Sequence, residues 1–353
     1  MPIAGFVRLR KHQFGRQAAI GTNVPATRAY PFSGTPSVEL NWTDPEIDTG
    51  SLDPVAAPYR EAPDLTAGLE APTLNYNDLP LMLSGIFGGG ITASGGGTSK
   101  VWEFEPASTS VDEFDAHTYE FGDDVLDDWF QLGDGILESL EFSGPEGLGP
   151  LSASMEWRFG SVKSTGSTDA PVDGTVPTVS LSVATDDAVV YLKDGAIYVA
   201  DSVAGLAAGK VSDALHSFSL RISREIDQKR WANGDQSFDI DAYGHGPREI
   251  ELECVFAKTD DIVGTGSESD HWMSDQAVNR YVRLAFESTV VAEEGSDDVP
   301  YSWEFTLPLR YYTRAEGEVG GNTTVVLTGR AFYDPDDLEG VFVSEVVNTL
   351  ASL

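Results

Sequence analysis

Apolar and polar residues alternate along much of this chain, most regularly at its centre. From Leu151 to Phe159, the residues Leu151, Ala153, Met155, Trp157 and Phe159 fall on one side and Ser152, Ser154, Glu156 and Arg158 on the other. A period of two with one apolar side is a strand with one face on a core and the other in water. The Pro145-Glu146-Gly147-Leu148-Gly149-Pro150 segment before it reads as the connection of an antiparallel hairpin within Gly135–Gly160. Similar signals predict strands at Ser37–Trp42 (Val38, Leu40 and Trp42 inward), Leu69–Tyr76, Val101–Phe104, near His117–Phe121, and at Leu215–Ser223. Further ones fall at Ser237–Tyr243, Glu249–Phe256, Tyr301–Tyr311, Thr323–Tyr333 and Val341–Val347. Val189–Tyr191 and Ala196–Val199 flank Lys193-Asp194-Gly195, which predicts another hairpin. Two helices are expected. One follows Asn77-Asp78 as an apolar run to Phe87, stopped by Gly88–Gly90. The other covers 270–287, with Met273, Ala277, Tyr281, Leu284 and Ala285 on one stripe behind a Ser269 cap.

The expected fold is therefore mainly β. With 353 residues the chain can form two lobes, each large enough to bury a core. Residues 1–30 lack a steady period and read as an extended N-terminal arm; 31–165 make a first lobe, 166–177 a small, polar linker broken by Pro and Gly, and 178–353 a second lobe. The order of elements recurs in the two lobes. Ser37–Trp42 and Leu69–Tyr76 precede Phe218–Ser223 and Ile250–Ala257 at one common spacing, a helix follows in each, and Trp102-Glu103-Phe104 is answered by Trp303-Glu304-Phe305. A tandem duplication explains this order; one elaborated β-domain is the alternative.

Charge changes the picture. The chain has 57 acids against 22 bases, a formal net charge of −35, which disfavours binding to nucleic acid or anionic membrane. It is unevenly placed: residues 1–38 hold Arg8, Arg10, Lys11, Arg16 and Arg28 and no acid, whereas 101–157 hold acids and no base. The loop 43–66 adds Asp44, Glu46, Asp48, Asp53, Glu61 and Asp64. A basic arm on an acidic body is suited to lie on a neighbouring copy; a frayed basic terminus is the plainer reading. No run of 18 apolar residues and no secretion-signal pattern occurs, so a soluble protein made in a cytoplasm is expected.

Candidate chemistry is sparse. The chain has no nucleotide-binding glycine motif, phosphate loop, His-Glu-x-x-His or Gly-x-Ser-x-Gly. His12, His117, His216, His245 and His271 stand singly, where a zinc site needs a cluster. The lone Cys254 shares a strand face with Ile250, Leu252 and Phe256 and reads as core. Asp334-x-Asp336-Asp337 lacks the glycine and closing glutamate of a calcium loop and reads as a turn. Carboxylate pairs such as Asp123-Asp124 carry little information in so acidic a chain. No enzyme activity, cofactor or metal is expected. The remaining signals, β-rich and acidic with a basic arm and many pairing edges, point to an assembly subunit.

At this point the sequence resembles a known family. Phe14-Gly15-Arg16-Gln17-Ala18-Ala19-Ile20-Gly21-Thr22 closed by Pro25-Ala26-Thr27, Gly68-Leu69-Glu70 leading to Leu83 and Ile86, and Gly329-Arg330-Ala331-Phe332-Tyr333-Asp334 are similar to the major tail tube proteins of long-tailed bacteriophages, especially those of actinobacteria. The resemblance covers most of the chain through loose patterns and element order. It implies a β-sandwich or barrel with a flanking helix, stacked as rings into a hollow tube. Such rings have six copies, or three where the domain is duplicated. It implies location in the virion tail after assembly in the host cytoplasm. The implied partners are other copies of the chain, a tape measure protein inside the tube, and a tail terminator and a distal tail or baseplate protein at its ends. Double-stranded DNA would pass through without being bound, no membrane is involved, and the family supplies no catalytic residues.

A passage for DNA needs walls that do not hold phosphate. Glu138, Glu141, Glu156, Glu249, Glu251 and Glu253, on polar strand faces, are the candidates for such a wall, with Glu39 and Glu70 as weaker ones; solubilising an outer wall is the plainer role. Arg8, Arg10, Lys11, Phe14 and Arg16 are the candidate inter-subunit arm, facing the acidic loop 43–66 of a neighbour. Another virion part, such as a tail terminator or capsid-decoration protein, and a carbohydrate-binding β-protein remain the alternatives.

Overall fold

A computed structural model describes residues 10–39, 41–43, 59–106, 114–123, 128–164, 181–183, 188–211, 215–231, 240–258, 280–295, 298–336, 338 and 340–353. The strands of the first part are β1 (Arg10–Arg16), β2 (Arg28–Tyr30), β3 (Ser33–Glu39), β4 (Trp42–Thr43), β5 (Tyr59–Arg60) and β6 (Asp64–Ala71). After the helix α1 (Leu79–Phe87) come β7 (Lys100–Phe104), β8 (His117–Asp123), β9 (Asp128–Gly144), β10 (Ser152–Arg158) and β11 (Ser161–Ser164). The second part holds β12 (Gly195–Ala200), β13 (Lys210–Val211), β14 (Leu215–Lys229), β15 (Ala242–Ala257), β16 (Arg280–Glu293), β17 (Val299–Val319), β18 (Asn322–Ala331) and β19 (Val343–Asn348). The protein is mainly β, as the alternation predicts.

The central hairpin forms as expected. β9 and β10 pair antiparallel, and Leu151, Ala153, Met155, Trp157 and Phe159 are all buried. The alternation in Leu215–Ser223 also holds, with Phe218, Leu220 and Ile222 buried. α1 begins after Asp78 and ends at Gly88, whose φ of 72° suits glycine and whose N–H donates to the Ser84 carbonyl at 2.8 Å. All nine of its residues are buried, so the helix is part of the core and has no solvent face. Cys254 is buried as expected, and Asp334 caps its turn by accepting from the N–H of Leu338 at 2.8 Å and from the Tyr281 hydroxyl at 3.0 Å.

Several expectations are corrected. The stretch from Arg280 to Glu287 is the start of strand β16 and not helix, paired with β12 on one edge and β17 on the other. Its apolar residues fit a period of two as well, with Val282, Leu284 and Phe286 inward. Residues 259–279 lie outside the described residues, as do Arg8, the linker 166–177 and Ser237–Asp239. Val189–Tyr191 does not form a hairpin with β12. It bridges to Asn75 and Pro150, while a short 3-10 turn at Leu192–Asp194 leads into β12. Trp42 is 59% exposed, because among the described residues β4 pairs only with β5, in a separate two-stranded ribbon.

The strand pairings repeat. In the first part the order is β2–β1–β8–β9–β10–β6–β3, and in the second it is β13–β12–β16–β17–β18–β15–β14, every pair antiparallel. β11 adds to β9 as β19 adds to β17. The matched Trp-Glu-Phe tripeptides do not share this correspondence, since they fall on β7 and β17, which hold different places. Both parts are joined by hydrogen bonds: β9 pairs with β14, and β7 with β19. One large apolar cluster includes residues of both, from Phe14 and Trp157 to Trp303 and Val346.

Candidate functional site

Pairing carries one sheet from β3 through β6, β10, β9, β14, β15 and β18 to β17. One face of it packs on the core through Leu69, Met155, Leu140, Leu220, Leu252 and Leu327. Because side chains alternate across a pleated strand, the intervening residues share the opposite face. The register sets these residues in rows. One row runs Glu70, Ser154, Glu141, Arg221, Glu251, Arg330, Arg310. Beside it run Ser152, Ser143, Ser219, Glu253, Thr328, Thr313 on one flank and Glu156, Ser139, Ser223, Glu249 on the other. Five of the six chief sequence-predicted acids, Glu141, Glu156, Glu249, Glu251 and Glu253, are thus brought to one polar face together with the weaker candidate Glu70. Glu138 joins it beside the bulge in the β9–β10 ladder, where Arg158 of β10 holds it through Nε at 3.1 Å.

The face is less purely acidic than the glutamates alone imply. Arg221 lies in register with Glu141 on one side and Glu251 on the other, and Arg330 Nε is 3.7 Å from Glu251. Opposite charges directly across strands favour the ladder, by about 0.2–1 kcal/mol a pair, whereas like charges there oppose it. Hydroxyls supply the rest: Ser219 donates to Glu141 at 2.9 Å and Thr328 to Glu253 at 3.4 Å. Sequence parity finds the acids. Their interleaving with arginine requires the partner strands, which no local pattern names.

The candidate arm residues are placed differently from an arm. Phe14 is 1% exposed, stacked on Tyr119 at 4.8 Å and 5.1 Å from the Trp157 ring. Arg16 bonds Asp115 at 2.9 Å and also the Ile91 carbonyl, and Arg10 lies over the Phe121 ring at 5.6 Å. Lys11 is half-buried in the same strand, and β1 pairs with β8 along all seven residues. Between them, buried Glu120 accepts from Gln13 at 3.2 Å and from Gln131 at 3.1 Å. The segment from Arg10 to Arg16 is therefore a strand of its own subunit's core.

Among the described residues no group of three or more His, Cys, Asp or Glu side chains could hold a metal. A cavity of about 540 Å³ opens between the β9–β10 turn and β12–β14. Among the described residues its lining includes Leu148, Lys193, Lys210 and His216 but no tryptophan or tyrosine on which a sugar ring could stack. No helix among the described residues is long and apolar enough to cross a membrane. No protein-family model and no curated protein matches the sequence.

Proposed function

We propose that the chain is a structural subunit of a virion tail tube, polymerising as stacked rings around a lumen through which phage DNA passes. The observation that carries this reading is the broad polar face of hydroxyls and carboxylates, backed by a continuous apolar core. Along most of the face the arginines lie among carboxylates, Arg158 beside Glu138, Arg221 between Glu141 and Glu251, and Arg330 beside Glu251, while Arg330 and Arg310 stand opposite each other at the β17 end. DNA in such a passage would gain little from releasing counterions and would slide. The repeated pairing order supports two related lobes in each chain and hence rings with fewer copies than lobes. On this reading the location is the virion tail, and the partners are further copies, a tape measure protein in the lumen, and terminator and distal tail or baseplate proteins at the ends.

Two exposed tryptophans, Trp42 (59%) and Trp231 (62%), favour a second reading as a carbohydrate-binding protein, since exposed rings can stack on sugars. Negative-stain electron microscopy of the purified protein over a range of salt, with light scattering alongside, separates the two. Hollow rods of regular axial repeat support the tube. A monomer at every concentration and salt, with tryptophan fluorescence responsive to oligosaccharide, overturns it.

A further inference from the structure

The cavity of about 540 Å³ between the β9–β10 turn and β12–β14 has the size of a small-molecule site. Main-chain contacts hold its walls. The Leu192 N–H donates to the Gly149 carbonyl at 2.9 Å, and Pro150 bridges to Tyr191. On the other side, Val211 of β13 stands in register with Ile197 of β12. The space is therefore built into the fold and does not wait on a rearrangement.

Its chemistry departs from that of the chain as a whole. Leu192 and Ile197 are buried in its lining, and Val211 and Leu215 add to the apolar part. The polar side chains are Lys193, Lys210 and His216, and among the described residues no aspartate or glutamate lines it. In a chain with 57 acids against 22 bases, an acid-free lining that holds two lysines suits an anion. Leu148 adds a second observation. It is 51% exposed and sits at a φ of 63°, in the left-handed region that leucine rarely adopts. A large apolar side chain kept in strained backbone and left in water gains from a partner that covers it.

We propose that this cavity binds a small amphipathic carboxylate, a straight-chain fatty acid whose tail lies along Leu148, Leu192 and Ile197 and whose head meets Lys193 and Lys210. The site goes beyond the tube reading and does not depend on it. Asp194 competes weakly for the head-group site: its carboxylate is 3.8 Å from the Lys193 ammonium, whose side chain is 53% exposed. An exposed pair of this kind contributes little, so an incoming carboxylate can replace it. Lys193 also lies over the Tyr191 ring at 5.0 Å, outside the cavity lining. An inorganic anion would use the lysines and leave the leucines in water, whereas a neutral chain would leave the lysines unused. A ligand with both parts uses the whole lining. It would also bridge the β9–β10 turn and β12–β14, and by binding the folded chain alone it would stabilise it.

Isothermal titration of the full chain with decanoate, octanoate, octanol and inorganic phosphate tests this. Decanoate is expected to bind saturably, one per chain, and to raise the melting temperature. A buried methylene is worth about fourfold in affinity, so octanoate should bind about fifteenfold more weakly than decanoate. Octanol, lacking the charge, should bind about tenfold or more below octanoate, and phosphate should bind more weakly than either acid. Lys193→Gln combined with Lys210→Gln should bring octanoate down to the affinity of octanol. Leu148→Asn should weaken both acids, and because asparagine suits the left-handed turn, its ligand-free melting temperature should not fall. The absence of saturable binding by decanoate overturns the proposal. So does equal affinity for octanol or phosphate, the same affinity for both acids, or binding that neither variant weakens.

Discussion

Replacing Phe14 with alanine discriminates a core strand from an arm. The ring is 1% exposed and touches four aromatic neighbours: Tyr119 at 4.8 Å, Trp157 at 5.1 Å, Tyr30 at 5.7 Å and Phe32 at 6.2 Å between centroids. Fully buried phenylalanines cost about 3–5 kcal/mol when truncated, the spread depending on how far the site collapses. Collapse is restricted here. Gly15, the next residue, already lies so close to the Pro25 carbonyl that a Cβ would meet it at 2.5 Å, so the strand cannot shift freely toward that loop. A loss near the middle of the range, about 4 kcal/mol, lowers the folding equilibrium about a thousandfold. Urea unfolding followed by tryptophan fluorescence reads it, Trp157 being a neighbour of the deleted ring. A loss below about 1 kcal/mol, the scale of a surface change, would refute the placement of β1 in the core. If association vanished at the same time, the arm reading would return.

Other expectations follow from packing and ionisation. Gly85→Ala puts a methyl 2.7 Å from the Trp157 ring and is expected to cost about 1–3 kcal/mol, whereas Gly68→Ala, with nothing within 4 Å, should leave the melting temperature nearly unchanged. Burial, then the Arg10 charge, lowers the His12 pKa to about 4. An unfolded histidine takes up its proton near 6.5, so stability present at neutral pH is lost as pH falls from there toward 4, by roughly 3 kcal/mol for this group. His12→Gln should therefore flatten the urea midpoint against pH in that window. Glu345 has its pKa raised by burial and then by Glu304 and Glu103, which stand in register on the neighbouring strands. Its ionisation opposes folding, so stability is lost as pH rises from the ordinary 4.5 through the raised value. Glu345→Gln should raise the melting temperature at pH 7 and leave it nearly unaltered at pH 4.

Local alternation made the fold class legible, and its failures have physical causes. Leu151–Phe159 could be read because one face meets a core and the other water. Phe14 escaped that reading because β1 is buried on both faces: Gln13 is hidden with Glu120, and a polar residue inside gives no apolar period. Tyr281, Leu284 and Ala285 satisfy helical spacing while Val282, Leu284 and Phe286 satisfy strand spacing, and only the pairing with β12 and β17 decides between them. Trp42 has the right parity but the wrong partner, since its ribbon stands apart from the main sheet. At the candidate site the acids were visible from parity, while Arg221 between Glu141 and Glu251 depends on contacts far apart in sequence. Part of the recurring element order was visible, with Ser37 and Leu69 on β3 and β6 and their counterparts on β14 and β15, but the stretch from Arg280 expected as the second helix is strand and the Trp-Glu-Phe match falls on strands of unlike place; which strands pair appears only from the register.

The length of β9 and β17 has a mechanical consequence. β9 pairs with β8 and β11 through its first half and with β10 and β14 through its second, and β17 likewise serves β16 and β19 before the hairpin with β18 extends to its end. Each is a continuous covalent rod anchored in two successive sets of hydrogen-bonded strands. A pull along either rod strains many ladder bonds together in shear, whereas a peeling force would break them one after another. Strand sets tied in this way resist being drawn apart through the backbone itself, with less reliance on side-chain packing.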